Sequence, residues 1–315
     1  MLKLNFKSLL DLQTKLATEE DCQKYIIDIR WNGKIECVYC NHDKVCTVKD
    51  GDFKCSKCNR RFTVKTGSIF ENSKLPLRKW LMAIYFVTND KKGVSSYQLA
   101  DNIGVTQKTA WSMLQKLKYL ITSQTNNAEF EGVTEIDEAY IGGSESNRHA
   151  KDKKLTGEKE KTVVLGMINR ETGKAKAMKV PTAEKDFLLP KIRLNVKSGS
   201  TIVTDTYHAY NDLKKQYTHK TVKHSAGEYV RIEPAVGDSQ NKTAFKIHTN
   251  SIEGFWSLVK RTINGTHHWV SKKYINKYLG EMSYRFSNRN MSVAERFEAI
   301  CLKSNVSITY KQIIA

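Results

Sequence analysis

Two pairs of cysteines and three well-separated acids are the residues of this sequence whose types and spacing could do chemistry. Cys37-Val-Tyr-Cys40 and Cys55-Ser-Lys-Cys58 are CxxC turns with fourteen residues between them. Each turn aims two thiolates at one point, and two turns supply the four sulfurs of a closed tetrahedral Zn²⁺ site. Cys37, Cys40, Cys55 and Cys58 are therefore the expected zinc ligands. Cys46 and His42, between them, lack the paired spacing. The acids are Asp137 in the apolar run Val133-Thr134-Glu135-Ile136-Asp137-Glu138-Ala139-Tyr140-Ile141, Asp205 closing Ile202-Val203-Thr204-Asp205, and Glu253 in Asn250-Ser251-Ile252-Glu253-Gly254-Phe255-Trp256. Carboxylates at strand ends are costly to desolvate unless paired or bound to metal. Three of them converging at a sheet edge can hold two Mg²⁺ (or Mn²⁺) ions about 3.5–4 Å apart, the arrangement of in-line phosphoryl transfer. Taken singly, each reads as a surface or capping acid; their order and company suggest a site.

The elements that must position these groups fall into distinct stretches. Residues 1–33 have an amphipathic helical pattern, and 34–72 form the cysteine-bearing mini-domain, which is too small to fold by apolar burial without its metal. Residues 73–122 are helical, punctuated by Pro76, Gly93 and Gly104. Within them Ser95 to Trp111 has helix-turn-helix spacing: Ala100 sits where two helices cross, Gly104 permits the turn, and Thr106 can cap the second helix. That helix would present Gln107, Lys108 and Ser112 to a DNA major groove. Lys91, Lys92, Lys116 and Lys118 would touch phosphates or form a solvated face. A generic helical hairpin is the plainer alternative.

A polar linker is expected over 123–131, and the pattern then changes to strands. Strands are expected at 132–141, 162–168, 175–180, 201–204 and near 219–222. Helices are expected at 184–195, 208–216 and 250–263 and again beyond 272, an α/β plan filling 132–290. Residues 291–315 are left as a C-terminal tail. Two charged stretches, 145–161 and 224–248, exceed ordinary connections and are candidate functional loops, the first carrying Arg148.

The 315 residues include 52 Lys and Arg against 33 Asp and Glu, a formal net charge of +19. Such a balance favours a polyanionic partner, because cationic side chains displace counterions from phosphates. No apolar run approaches the ~20 residues that span a bilayer. With reduced thiols and no secretion signal, the expected compartment is the cytoplasm, at the nucleoid.

The segments IDEAYIGG, TIVTDTYHAY and HTNSIEGFWSLVKR resemble the signatures of bacterial insertion-sequence transposases with an N-terminal zinc ribbon, relatives of the Merlin elements. The resemblance covers roughly residues 20–290. It implies an RNase H-like, integrase-type catalytic domain with a DDE acidic triad that cuts and joins double-stranded DNA at terminal inverted repeats and in target DNA. Carried over by position, the first two acids are Asp137 and Asp205. Some members of the group have Asn in place of the last acid, and Asn250 lies one turn before Glu253. A carboxylate is the stronger ligand for a hard cation, so Glu253 is the expected third ligand with Asn250 beside it. Lys260 matches the basic residue that follows the last acid, and Arg261 beside it is a further candidate DNA contact. Two element ends imply a homodimer or higher oligomer on DNA. The rivals are a non-enzymatic zinc-ribbon and helix-turn-helix regulator and a stand-alone nuclease of the same fold.

Elemental analysis of the purified protein is expected to give about one zinc per chain, lost in Cys55→Ser. A zinc-free protein whose 34–72 segment stays folded would contradict this.

Overall fold

The computed structural model describes residues 4–48, 51–125, 130–142, 161–234 and 245–314. The chain divides into two compact units, one formed by Met1–Ser123 with Asn288–Ala315 and the other by Gln124–Ser287.

The first unit begins with α1 (Leu9–Lys15) and α2 (Glu19–Trp31). Thr18 and Asp21 form a reciprocal capping box at the start of α2, and Asn32 ends it in the left-handed conformation. Three short antiparallel strands follow, β1 (Val45–Thr47), β2 (Phe53–Cys55) and β3 (Arg61–Phe62). Then come α3 (Leu77–Asn89), α4 (Ser96–Ile103) and α5 (Gln107–Thr125). Glu19 of α2 accepts the Leu77 and Arg78 N–H groups at 2.7 and 3.2 Å, so a carboxylate caps the otherwise uncapped α3. Arg30 donates to the carbonyls of Val64 and Thr66, tying α2 to the segment leaving the small sheet.

Residues 291–315 are not a tail. They form α9 (Val293–Leu302) and α10 (Tyr310–Ile314), with Phe297, Ile300, Cys301 and Ile313 fully buried. Phe297 meets Phe6 edge-on at 5.4 Å and stacks on Tyr25 at 6.1 Å. The N–H of Ile69 donates to Ser304 O at 2.9 Å. The core of this unit is thus completed by residues far apart in sequence, which local patterning does not reveal.

The second unit is built on a five-stranded sheet in the order β6-β5-β4-β7-β8. Its strands are β4 (Val133–Ile141), β5 (Thr162–Asn169), β6 (Ala175–Val180), β7 (Thr201–Asp205) and β8 (Thr218–Val222). The first three are antiparallel, and β7 and β8 run parallel to β4. Helix α6 (Lys185–Asn195) precedes β7, and the helix expected over 208–216 is a 3-10 helix, His208–Lys215. Helix α7 (Asn250–Thr262) and, after a π-helical turn, α8 (Ile275–Ser287) complete the unit. The expected strands and α7 fall where their patterns place them, within a residue or two at the ends. The expected linker is shorter than drawn: α5 runs to Thr125, and Phe130 is buried and bridges to Val196. Of the 224–248 stretch, β9 (Arg231–Glu233) and β10 (Phe245–Ile247) pair antiparallel.

Alternation along β4 decides what each side chain meets. Ile136 enters a core with Leu165, Met167, Leu188, Ile192 and Tyr210, whereas Ala139 and Ile141 enter another with Phe255, Trp256, Val259 and Leu279. Glu135 and Asp137 share the latter face, toward α7, and Glu138 turns to the former.

Phe297→Ala is expected to destabilise the first unit by about 3–5 kcal/mol in chemical denaturation. A loss below about 0.5 kcal/mol, as for an exposed tail, would show that α9 is dispensable.

Candidate metal and catalytic sites

Both cysteine knuckles are closed in the same way. Asn41 and Asn59, each directly after a CxxC, adopt positive φ and donate their N–H to Cys37 O and Cys55 O at 2.9 and 3.1 Å. The turns bring four sulfurs together, all within 4.8 Å of one another. Cys37 and Cys58 Sγ lie 3.6 Å apart, and Cys40 and Cys55 Sγ 3.7 Å. Sulfurs about 2.3 Å from one tetrahedral ion would stand about 3.8 Å apart, so the thiol geometry fits zinc. Beside them Phe53 and Phe62 are buried and cluster with Trp31 and Tyr39. This aromatic group is too small to replace the metal as a core. Cys46 is exposed on β1 and lies outside the sulfur cluster, as does His42.

Helices α4 and α5 meet through Gly104, at φ +62°, whose conformation L residues rarely adopt. Thr106 Oγ1 caps α5 by accepting the Thr109 N–H at 3.3 Å. Leu99, Ala100, Ile103, Ala110 and Leu114 are buried. Lys108 is exposed and Ser112 half-buried. The Gln107 side chain instead donates to Ser96 Oγ at 2.8 Å, bracing the two helices. Lys118 is not on a solvated face: it is 1% exposed, one residue after buried Leu117 and one turn after Leu114. Lys116 is also drawn in, with Nζ on Ile69 O at 3.2 Å.

In the second unit the register of β4 with β7 pairs Glu135 with Val203. The ladder ends there, and Asp205, two residues on, is near enough to push the Asp137 carboxyl upward. Asp205 Oδ1 accepts the Tyr207 N–H at 2.9 Å, and Asp137 Oδ2 accepts the indole N–H of Trp256 at 3.0 Å. Burial raises Asp137 to about 7, with further upward pushes from Glu138 and Asp205. Burial likewise raises Glu138, whose carboxylate accepts the hydroxyl of buried Tyr210. This corner therefore carries more acid than its protein partners neutralise.

Helix α7 lies over that face. Asp137 and Glu138 line one open depression with Lys161, Glu253, Trp256, Ser257 and Lys260. Glu253, Ser257 and Lys260 recur at helical spacing, so one stripe of α7 faces Asp137. Asn250 does not line the depression; it is exposed, and its N–H faces His248 Nδ1 at 3.4 Å. Asp205 and Arg261 do not line it either, and Arg261 Nε donates to Ser257 O at 3.2 Å. Glu253 Oε1 is drawn to Thr249 Oγ1 at 2.9 Å and His224 Nε2 at 3.3 Å. Arg148 lies outside the described residues.

Two residues of this site have no signature in the sequence reading. Glu135, fully buried, accepts from Arg170 Nε at 2.6 Å, Ser251 Oγ at 3.0 Å and the Ile252 N–H at 3.0 Å. It binds the positive end of α7 as an anion does and fastens to β4 the helix that carries Glu253. Arg170 extends the link to the carbonyls of Lys246 and His248. The available signal was parity: Glu135 is two residues before Asp137 and so on its face. Lys161, at the end of the charged 145–161 stretch, is the other.

One unit carries four clustered cysteines beside its helices, and the other a mixed sheet with an acidic corner. The description of an ISXO2-like transposase domain matches residues 129–287, and that of a transposase zinc-ribbon domain matches residues 17–61. The chain belongs to the ISXO2-like transposase family and is a DNA transposase. An uncharacterized protein in transposable element ISH50 of Halobacterium salinarum is 27% identical over 287 residues, 85% of this chain and 91% of that protein. An uncharacterized transposase-like protein of Haemophilus influenzae is 30% identical over 113 residues, 35% of this chain and 77% of that one. The crystal structure of a pre-cleavage Mos1 transpososome aligns over 72% of this chain and 78% of its own at 10% identity, with a TM-score of 0.24, too slight a likeness to bear on the fold. Among the described residues no helix is long and apolar enough to cross a membrane.

An acid raised from 3.8 to about 7 by the fold binds its proton more tightly folded than unfolded. Its contribution to stability is present in full below about pH 4 and is lost as pH rises through about 7. Asp137→Asn is therefore expected to stabilise the magnesium-free, zinc-loaded protein at pH 8, by at most about 4 kcal/mol, and to flatten the slope between pH 4 and 7. A variant no more stable than the parent at pH 8 would show that Asp137 is not strained by burial.

Proposed function

We propose that this transposase binds the terminal inverted repeats of its insertion sequence and catalyses Mg²⁺-dependent strand cleavage and strand transfer at Asp137, Asp205 and Glu253. The observation that carries this reading is that Asp137 and Glu253 line one depression, with Asp205 near enough to push the Asp137 carboxyl upward. The strand order, with three antiparallel strands followed by two parallel to the first, supports an RNase H-like, integrase-type fold for residues 132–290. Carboxylate oxygens suit a hard divalent cation, and the excess acid in this corner favours one. Bound Mg²⁺ (or Mn²⁺) would activate the attacking oxygen and stabilise the leaving one. Lys260 and Lys161, in the same depression, would hold the phosphate backbone. Sharing the depression with Asp137 favours Glu253 over Asn250 as third ligand.

DNA recognition falls to the first unit, with its zinc ribbon over 34–72 and helix-turn-helix over 73–122. Lys108 and Ser112 are one turn apart on α5, and Gln107 can join them by releasing Ser96. Arg148 and Arg261 are proposed as backbone contacts. Two element ends require two active sites, hence a dimer or larger assembly on DNA.

Labelled duplex carrying the element ends, incubated with the zinc-loaded protein and Mg²⁺, is expected to be both cut and joined. Asp137→Asn and Asp205→Asn are expected to lower cleavage by orders of magnitude while end binding stays within a few-fold of the parent. Glu253→Gln should match them and Asn250→Ala should only slow the reaction. The reverse ranking would make Asn250 the ligand. Cleavage without joining would indicate a nuclease, and binding alone a regulator.

A further inference from the structure

We propose that Trp256 is a positioning residue for the metal-binding carboxylate of Asp137, and that Gly166 lacks a side chain in order to admit its indole. Asp137 and Gly166 are direct partners in the β4–β5 register, so they stand side by side on the face toward α7. The indole of Trp256, 5% exposed, covers the glycine and donates its N–H to Asp137 Oδ2 at 3.0 Å. A methyl group on Gly166 would stand 2.7 Å from Cη2 of Trp256 and closer still to Cζ2. Glycine weakens a strand interior, and a close approach by another group is a physical reason to have one there.

The two acids on this face of β4 are treated differently. Glu135 already accepts from a guanidinium, a hydroxyl and a helix N-terminus, so the place of a cation beside it is taken by Arg170. The side-chain donor that Asp137 receives is a neutral one, from a ring packed against Phe255 at 5.3 Å. A neutral indole fixes the rotation of the carboxylate without cancelling its charge, whereas Lys or Arg in its place would compete with a cation. Trp256 thereby holds Oδ2 in place, acting through Asp137 and not on DNA.

This inference rests on Asp137 binding metal, and the experiment separates the two ideas. Zinc-loaded full-length protein is titrated with Mn²⁺, and free Mn²⁺ is followed by electron paramagnetic resonance. Stability is measured in parallel by urea unfolding. Binding that is unchanged in Asp137→Asn removes the metal reading itself. With that reading intact, Trp256→Phe, which keeps an aromatic ring but no N–H, is expected to weaken Mn²⁺ binding about five-fold or more. Gly166→Ala should lower both stability and Mn²⁺ affinity. Phe lacks the outer ring that the new methyl would strike, leaving the 3.2 Å contact with Ile252 Cδ1, so the double variant Gly166→Ala/Trp256→Phe should regain most of the stability of Trp256→Phe. Its Mn²⁺ affinity should stay at the Trp256→Phe level, because both changes break one hydrogen bond. Parental affinity in Trp256→Phe overturns the proposal. So does a double variant whose affinity recovers together with its stability, since packing alone would then explain the loss.

Discussion

Negative charge buried in the middle strand of a sheet is the constraint around which the second unit is arranged. A carboxylate taken out of water must find a cation, a set of hydrogen-bond donors or a proton. Glu135 finds the first two in Arg170, Ser251 and the first turn of α7. Asp137 finds neutral donors, the Trp256 indole N–H and the Glu138 backbone, and burial pushes it toward its protonated form. The same strand face thus holds one acid that builds the structure and one whose charge burial disfavours. The first makes the second useful, because fastening α7 to β4 brings Glu253 and Lys260 into the depression beside Asp137.

The same logic of substitution runs through the first unit. The three short strands around the cysteines bury little beyond Phe53 and Phe62, and a metal centre takes the role of a hydrophobic core. The helical remainder has the opposite solution. Its core is assembled from both ends of the chain, with Phe6 and Tyr25 meeting Phe297.

Several features were legible because their signals are local. Two CxxC turns specify their ligands by spacing alone, and the left-handed Asn41 and Asn59 behind them follow from the tightness of the turns. The cap at Thr106, the turn at Gly104 and the apolar spacing of α4 and α5 lie within one stretch of seventeen residues, from Ser95 to Trp111. Asp137 stood out as an acid in an apolar strand. Glu135 did not, although it shares that strand, since nothing local distinguishes an acid bound for Arg170 from one bound for solvent. Lys118 misled for the same reason: a lysine on a long helix reads as exposed until the packing around the helix is known.

The sequence by itself determined the zinc knuckles, the order of strands and helices, and the acids available for chemistry. Each of these depends on neighbours within a few residues or on a period of two or 3.6. Tertiary structure alone decided that residues 291–315 complete the first unit, that Asp205 comes near Asp137, and that Glu253 rather than Asn250 shares its depression. It also decided that Gly166 makes room for Trp256. These outcomes bring together segments about seventy to nearly three hundred residues apart. Strand register and helix docking are set by the fit of whole faces against one another, which no local pattern encodes.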